Sequence, residues 1–323
     1  MKSGRFRAAV LAAAVATLAL AGCSGLEQDQ PKRARLEKTE LRIGALPVVD
    51  DAPLYIALQR NYFADEGLDV KTSVLQGGGP AVQGLVGRQL DIAFCDYVTL
   101  FGAQARGPVK FDVLSEGYQA KPNVLGVVAA PGGKIQQPKD LAGKRIAVNT
   151  KGDLGEIIVG AALAANGVRA DTVKYREIAW PKMTDALRRG EVDAAWMVEP
   201  YISHAAKTDG ARLILDASTG PTAEFPIAGY VTTRDFARRY PNTAAAFERA
   251  ITRAKKDAAD RSVVEQVLPG YTKVDPETAV ISAMGTFPTS DKPSPVRLPR
   301  VADLMLQFQI LRARLDVKLL TDS

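Results

Sequence analysis

The chain has 323 residues, of which 46% are hydrophobic, and it carries a formal net charge of +6 with two cysteines. This length accommodates about two domains with substantial cores. Three positive charges and no negative ones lie in residues 1–22, so the net charge of the remaining chain is +3. This weak charge, without a lysine-rich block, argues against nucleic-acid binding, and two cysteines exclude a disulfide framework.

The first predicted element is a secretory signal peptide over residues 1–22. Basic residues precede an apolar run from Ala8 to Ala21, which is shorter than the roughly 20 residues that span a bilayer. The run ends in Leu-Ala-Gly-Cys, which resembles a bacterial lipobox and implies that Cys23 is lipidated; an uncleaved anchor is the alternative. Residues 23–40 follow as a predicted flexible tether, because they are highly charged and have almost no apolar residues.

From Leu41 onward, strand-like and helical runs alternate, which is typical of an α/β fold with βαβ units and largely parallel sheets. Strands are predicted at 41–46, 70–75, 91–95, 111–115, 124–130, 145–149, 173–178, 194–198, 212–216 and 229–233. Helices are predicted at 53–62, 98–106, 153–166, 183–189 and 201–207, and an almost wholly helical segment follows from Arg234, ending in an amphipathic run at 301–315.

The series of elements predicts two lobes. Residues 41–125 together with 228–323 form the first lobe, and residues 126–227 form the second. The chain then crosses between the lobes twice, and two crossing segments make a hinge. The cleft between the lobes is the expected ligand site.

The stretch Gln76–Gly84 reads QGGGPAVQG and invites comparison with nucleotide-binding loops. A P-loop needs Lys and then Ser or Thr after its last glycine, where Leu85 and Val86 stand, and a dinucleotide fingerprint needs glycine in place of Val82. We therefore predict a tight turn and a helix with Pro80 at its first position. Such a turn either presents backbone N–H groups to a solute or serves packing alone.

Four stretches together carry a family resemblance. They are LRIGALPVVDDAPLYIALQRNYFADEGLDV, GLVGRQLDIAFCDYVTLFGAQARG, PKDLAGKRIAVNTKG and ALRRGEVDAAWMVEPY. They resemble the nitrate/sulfonate/taurine and thiamine-precursor class of solute-binding proteins of ABC importers, over residues 41–216. The resemblance implies a two-lobed periplasmic-binding-protein type II fold with a helical C-terminal tail, and permease and ATPase partners.

In open α/β sheets, ligands bind beyond the carboxyl ends of the strands. That rule, applied to the predicted strands and the loop before the second crossing, selects a set of candidate ligand-binding residues. They are Asp50, Asp51, Gln76, Gly77, Gly78, Gly79, Asp96, Tyr97, Thr150, Lys151, Gly152, Trp180, Glu199 and Phe225.

Several candidates also have a purely structural interpretation. Asp51 and the neighbouring candidate Asp153 can cap helices, whereas Asp50 is less easily explained as a cap. Glu199, in a Glu-Pro-Tyr sequence that the family shares, can serve either the hinge or the cleft. Trp180 precedes a proline at a helix start, where it can stack on a ligand or pack in the core.

The candidate set is rich in carboxylates and aromatic rings, with Lys151 as its one obvious cation. This chemistry favours a flat or cationic nitrogenous solute, such as a thiamine-precursor pyrimidine or another amine. An alkanesulfonate, taurine or nitrate, which other members of the family bind, comes next.

Two other function classes remain open. One is an enzyme on the same fold, resembling the thiamine-pyrimidine synthases, and the other is a sensor lipoprotein without a transport role. The single histidine, His204, and the lone Cys95 lack the partners that hydrolase, zinc or thiol motifs require. We therefore predict a non-enzymatic, monomeric binding protein that needs no cofactor, metal or nucleic acid and is anchored extracytoplasmically through the lipid on Cys23.

Overall fold

The computed structural model describes residues 34–290 and 293–321. The predicted signal peptide, Cys23 and most of the predicted tether lie outside these residues. The described end of the tether is bound to the folded body. The backbone N–H of Lys38 donates to Thr243 Oγ1 at 3.1 Å, and the backbone N–H of Thr243 donates to the Glu37 carboxylate at 3.0 Å. Any flexible segment therefore ends before Glu37.

The strands of the described chain lie close to their predicted positions. They are β1 (Glu40–Ala45), β2 (Asp69–Val74), β3 (Ile92–Asp96), β4 (Phe111–Gln119), β5 (Leu125–Ala129), β6 (Arg145–Val148), β7 (Lys174–Glu177), β8 (Ala194–Val198), β9 (Arg212–Asp216) and β10 (Pro226–Thr233). They form two five-stranded sheets, with strand orders β2-β1-β3-β10-β4 and β7-β6-β8-β5-β9. Strand β10 thus returns to the first sheet after the chain has built the second.

Each sheet is mixed, so the prediction of largely parallel sheets is wrong in part. β1 runs parallel to β2 and β3, and β6 runs parallel to β7 and β8. β10 is antiparallel to β3 and β4, and β5 is antiparallel to β8 and β9. The chain enters β5 and β10 directly from the other sheet, without the crossover helix that parallel neighbours need.

The helices of the described chain cover the sheets and form the C-terminal segment. They are α1 (Ala52–Gln59), α2 (Tyr62–Asp65), α3 (Gly78–Val86), α4 (Tyr97–Arg106), α5 (Leu154–Ala165), α6 (Trp180–Arg188), α7 (Tyr201–Asp209), α8 (Arg234–Arg239), α9 (Pro241–Asp257), α10 (Arg261–Thr272), α11 (Pro276–Ile281) and α12 (Leu298–Gln307). Short 3₁₀ turns lie at Val49–Asp51, Pro138–Leu141, Ala170–Thr172, Gly220–Thr222 and Val317–Leu320.

Two helix ends differ from the prediction. Helix α3 begins at Gly78, so Pro80 stands at its third position and not its first. Helix α12 ends at Gln307, well before the predicted Leu315, and Gln309 adopts a positive φ of 58°. A residue in the left-handed region cannot continue an α-helix, so the amphipathic pattern extends further than the helix itself.

The two central strands, β3 and β8, run through the core of their sheets and end beside the site. Every residue of both strands is buried, as expected for strands in the middle of sheets with both faces covered. Asp96 is the last residue of β3, and Glu199 directly follows β8. The carboxyl ends of the two sheets therefore deliver polar side chains to the region where the sheets face each other.

Candidate ligand-binding site

A small cavity lies between the two sheets, beyond the carboxyl ends of their strands. Its volume is about 30 Å³, room for about two water molecules, so the cleft is closed in this conformation. Both sheets contribute to the walls. The lining residues are Leu46, Val48, Asp50, Gly77, Gly78, Phe94, Asp96, Asn149, Asp153, Leu154, Trp180, Trp196, Val198, Ile227 and Ala228.

Three aspartates line this cavity, and all three are buried. Asp50 is 5% exposed, Asp96 is 7% exposed and Asp153 is 4% exposed. Among the described residues that line the cavity there is no Lys, Arg or His. Buried carboxylates are usually paired with a cation or protonated, so this cavity has unusual electrostatics for a protein interior.

Asp50 reaches the cavity from the 3₁₀ turn after β1. Burial raises the pKa of its carboxyl to about 8; a hydrogen bond from its own backbone N–H opposes this rise, and the negative charge of Glu199 adds to it. At neutral pH, Asp50 is therefore mainly protonated unless a positive charge comes close. A cation in the cavity would lower this pKa and would be held by the resulting carboxylate.

The adjacent Asp51 has a different environment. It is fully buried but does not line the cavity, because its carboxylate accepts hydrogen bonds from the Leu46 backbone N–H and the Tyr230 hydroxyl, both at 2.9 Å. It precedes α1 without capping that helix through its side chain. Asp51 thus connects the first loop to β10.

Asp96 and Asp153 meet across the cleft, one at the start of a helix in each lobe. Asp96 caps α4 by accepting from the Thr99 backbone N–H at 2.8 Å, and Asp153 caps α5 by accepting from the Leu154 backbone N–H at 2.6 Å. The Thr99 hydroxyl also donates to Asp153, at 2.5 Å. Burial raises the pKa of Asp96, and the neighbouring Asp153 carboxyl raises it further.

The glycine stretch lies between these groups, and its first glycines have no room for a side chain. A Cβ on Gly77 would lie 2.8 Å from Asn149 Nδ2 and from Thr150 Oγ1, which belong to the second lobe. A Cβ on Gly78 would lie 2.7 Å from Thr99 Cβ. Gly79 is unconstrained, since its nearest neighbour would be Thr150 Cγ2 at 3.9 Å. Close approach of the two lobes therefore requires glycine at position 77, whereas packing within the first lobe requires it at position 78.

Polar atoms without partners also belong to the cavity lining. Asn149 Oδ1, Trp180 Nε1 and Trp196 Nε1 are buried and accept or donate no hydrogen bond within the described structure. Trp180 is 7% exposed, and its ring lies 6.0 Å from those of both Trp196 and Tyr201. One acceptor and two donors are thus available beside the aspartates, since buried polar atoms normally have partners.

Glu199 does not line the cavity. Its carboxylate accepts from the Ser203 hydroxyl at 2.8 Å and from the Ala283 backbone N–H at 3.0 Å, and its peptide bond to Pro200 is cis. Its carbonyl oxygen accepts from the Val49 backbone N–H at 3.1 Å. These contacts join β8 to the C-terminal segment and to the first loop, which supports the hinge interpretation of Glu199.

The remaining candidates surround the cavity without lining it. Tyr97 and Phe225 are buried in the core, and Arg300 lies over the Phe225 ring at 6.0 Å. Five others lie on facing sides of the cleft: Gln76 in the loop before α3 and Gly79 in the first turn of α3, and Thr150, Lys151 and Gly152 in the loop before α5. Asn149 Nδ2 joins these loops by donating to the Gln76 carbonyl oxygen at 3.3 Å.

The sequence-based set misses three polar residues of the lining. Asn149 and Asp153 belong to the loop after β6 that the strand-end rule had selected, but Asp153 was interpreted as a helix cap. It is a cap, and it also lines the cavity. No sequence pattern marks Trp196 as a cavity residue, because it lies inside the buried strand β8. Its spacing of two residues from Val198 places both side chains on the same face of the sheet.

Two further properties of the described residues bear on the predicted function. Among the described helices, none combines the length and the hydrophobicity needed to cross a membrane. Within the described residues, no group of three or more His, Cys, Asp or Glu side chains is arranged to hold a metal ion.

Comparison with known proteins identifies relatives of this chain. It is 28% identical over 253 residues to a Bacillus subtilis (strain 168) protein whose name assigns it aliphatic sulfonate binding, covering 76% of this chain and 71% of the relative. The alkanesulfonate-binding protein SsuA from Xanthomonas axonopodis pv. citri, solved with MOPS, superposes with a TM-score of 0.73 at 19% identity, covering 86% of this chain and 96% of that one.

A Candida albicans gene product, CA3427, with the generic periplasmic binding protein fold superposes with a TM-score of 0.70 at 16% identity, covering 88% of this chain and 94% of that one. These likenesses confirm the predicted two-lobed fold. Residues 34–267 match the model of the NMT1-like family. Since this match extends over more than half of the chain, the protein belongs to the NMT1-like family.

Proposed function

We propose that this protein is the extracytoplasmic solute-binding component of an ABC importer, and that its solute carries a protonated nitrogen. The solute is held between the lobes and delivered to a permease driven by an ATPase subunit. The family membership and the sulfonate-binding relative support the transport role. The predicted lipid on Cys23 would keep the protein at the membrane, since two or more acyl chains on one cysteine give stable anchoring.

The lining of the cavity is the observation that carries the proposed solute class. Asp50, Asp96 and Asp153 face a space without any lining Lys, Arg or His in the described chain. An anion placed there would have to overcome carboxylate repulsion, whereas a cation would relieve the cost of burying the carboxylates. Aromatic rings beside the acids add cation–π attraction.

The polar atoms without hydrogen-bond partners narrow the chemical class of the solute further. Asn149 Oδ1 requires a donor, and the indole N–H groups of Trp180 and Trp196 require acceptors. A solute with both a protonated nitrogen and an acceptor atom would satisfy these groups and the aspartates together. A thiamine-precursor aminopyrimidine meets this description, and so does a small amine with a hydroxyl or carbonyl oxygen.

The alternative class is the sulfonate or nitrate type, which the names of the relatives favour. The N-termini of α3 and α5 both begin at the cavity, and backbone N–H groups at helix starts bind anions. In this chain, however, Asp153 caps α5 with a carboxylate, and the Asp96 carboxylate lies against Gly78 at the start of α3. Anion binding would require these groups to be protonated or displaced.

A thermal-shift panel on the purified protein tests the proposal. The probes are hydroxymethyl-aminopyrimidine, thiamine and small amines on one side, and taurine, methanesulfonate and nitrate on the other. A solute at 100 times its Kd adds about 2.7 kcal/mol of stability, which raises the Tm by a few degrees in a protein of this size. We expect shifts with the nitrogenous cations.

Two variants sharpen the result. Asp50→Asn cannot ionise beside a bound cation and is expected to weaken binding of the active cation at least tenfold. Asp171→Asn changes an exposed aspartate outside the cavity lining and serves as the matched control. A shift with methanesulfonate or nitrate, and none with the cations, would refute the proposed solute class while leaving the transport role intact.

A further inference from the structure

The contact between Asp96 and Asp153 is the most unusual one between the lobes. Both carboxyl groups line the same cavity, and both accept hydrogen bonds from Thr99. Thr99 fixes their relation, because its backbone N–H donates to Asp96 and its hydroxyl donates to Asp153. Asp96 ends β3 in the first sheet, and Asp153 precedes α5 in the second lobe. Opening the cleft would separate these two groups.

Two ionised carboxylates held by the same threonine beside one small buried cavity repel each other strongly, because the protein interior screens like charges poorly. A shared proton removes the repulsion, as does a cation between the groups. Burial and the neighbouring Asp153 both raise the pKa of Asp96, which is the expected response of a pair that holds one proton. The closed cleft therefore needs one positive charge at this point.

Independent observations indicate that a ligand reaches the same place. Asn149, 7% exposed, and Trp180, also 7% exposed, line the cavity together with Asp96 and Asp153. Asn149 Oδ1 and Trp180 Nε1 have no hydrogen-bond partner in the described structure. Helix capping explains each aspartate by itself, but it explains neither these unpartnered atoms nor the meeting of two acids across the cleft.

We propose that Asp96 and Asp153 form a charge-selective contact between the lobes, which closes when one positive charge lies between the two carboxyl groups. In the empty protein this charge is a proton, and in the loaded protein it is the cationic nitrogen of the solute. The second half rests on the proposed function, whereas the first half depends on the protein alone. Asp153 is thereby a specificity-determining residue as well as a helix cap.

Other titratable groups near the pair are few, and they can be separated from it by mutation. Asp50 lines the same cavity. Cys95 precedes Asp96, and burial raises the pKa of its thiol, which therefore stays protonated. Glu156 lies one turn into α5, where burial raises its pKa. Lys151 and Glu177 lie at the exposed edge of this loop, where the Lys151 backbone N–H donates to the Glu177 carboxylate.

The test measures lobe closure in the empty protein. Spin labels or fluorophores on exposed residues, one in each lobe, report the ratio of closed to open protein between pH 5 and pH 8. Uptake of one proton on closure makes this ratio rise by up to about tenfold per unit decrease in pH. A ratio in the wild-type protein that does not change with pH would overturn the proposal.

Three variants identify the group responsible. Asp153→Asn can still cap α5, and its amide can donate to Asp96, so we expect closure at both pH values and no pH dependence. Thr99→Val removes a cross-cleft hydrogen bond without removing a titratable group, so closure should weaken while its pH dependence persists. Burial in the closed cleft also raises the pKa of Asp50, so the other two variants are made in an Asp50→Asn background. Asp50→Asn by itself should keep the pH dependence that belongs to the pair. If the dependence survives in Asp153→Asn, or disappears in Asp50→Asn, the pair is not its cause.

A second arm adds a cation that stabilises the wild-type protein in the thermal-shift panel. Loss of one charged hydrogen bond is expected to weaken its binding to Asp153→Asn by about ten- to a hundredfold, with unchanged affinity for Asp171→Asn. Unchanged affinity for Asp153→Asn would overturn the ligand half of the proposal. Failure of every cation to bind wild-type protein would instead refute the proposed solute class, and the measurement on the empty protein still decides the proton half.

Discussion

The two ends of strand β3 carry aspartates with opposite surroundings. Asp91, just before the strand, accepts hydrogen bonds from Lys38 and from Arg42 at 2.7–3.2 Å, whereas Asp96, at the other end, has no cation among its described hydrogen-bond partners. Burial raises the pKa of Asp91, but the bonds from Arg42 and Lys38 outweigh it and lower the pKa overall. The pKa of Asp96 is raised.

In the second lobe, too, the aspartate just before the central strand is paired with an arginine. Asp193, just before β8, accepts from the Arg145 backbone N–H at 2.8 Å and from its guanidinium at 2.9–3.0 Å. These hydrogen bonds lower the pKa of Asp193 to about 2. At the amino ends of the central strands, acids are thus paired with arginines, while the acids that line the cavity are not. The difference indicates that the cavity acids serve something other than stability of the fold.

The largest expected effect concerns a paired buried acid in the first lobe. Asp112 is fully buried, and Arg234 donates two hydrogen bonds to it at 3.0 Å. Arg234→Met would leave this carboxylate without its cation, which costs about 3–5 kcal/mol for a buried pair. Urea denaturation should show this loss in the free energy of unfolding.

An exposed pair provides the control for this substitution. Arg239 and Asp235 form an ion pair at 3.1 Å with both side chains more than half exposed, so Arg239→Met should cost less than about 1 kcal/mol. Equal effects of the two substitutions would show that burial does not distinguish these acids, and the comparison between paired and unpaired ends would lose its basis.

The next effect concerns an unpaired cavity acid, whose raised pKa makes the free energy of unfolding fall as the pH rises. The pKa of Asp50 is about 8 in the folded protein and about 4 when unfolded. Its contribution to stability is complete below pH 4 and is lost as the pH rises towards 8. Between pH 5 and pH 7 the free energy of unfolding of the empty protein should fall by about 2–3 kcal/mol from this group alone.

Asp50→Asn isolates this contribution. The variant cannot ionise at this position, so its free energy of unfolding, measured by urea denaturation at both pH values, should decrease less than that of the wild-type protein. The same decrease in both proteins would mean that Asp50 does not carry the raised pKa.

The smallest effect concerns closure and affects affinity. Alanine at Gly77 would force Asn149 and Thr150 to shift, so we expect Kd for the solute to rise about tenfold, which is about 1.4 kcal/mol. Gly79→Ala is the matched control, because only Thr150 Cγ2 would lie near the new methyl group. Isothermal titration should show Gly79→Ala binding as the wild-type protein does; a similar loss in both variants would point to the helix start and not to the cleft.

Much of the fold could be predicted from the sequence, because short local patterns of residues specify the strands and helices. The fully buried strands β3 and β8 are short apolar runs bounded by polar residues, and such runs are recognisable without tertiary information. The helix predicted at 153–166 ends close to its predicted position, because α5 ends at Ala165 and Gly167 has a φ of +72°. The exact lobe boundaries stay a prediction.

The site was predictable in position but not in detail. The strand-end rule selected the correct loops, yet Asp50 and Asp51 are adjacent in sequence and only one lines the cavity. Their difference depends on Tyr230, which lies in β10 and binds Asp51. No local pattern reports a partner so distant along the chain.

The sequence by itself therefore determined the elements, the two-sheet architecture and the excess of acids at the carboxyl ends of the strands. These properties follow from hydrophobic periodicity and from residue types near each strand end. Only the tertiary structure decided which acids form an ion pair with an arginine and which lie close together across the cleft. The physical reason is that the charge state of a buried carboxyl depends on atoms within a few ångströms, and folding brings those atoms together from distant parts of the chain.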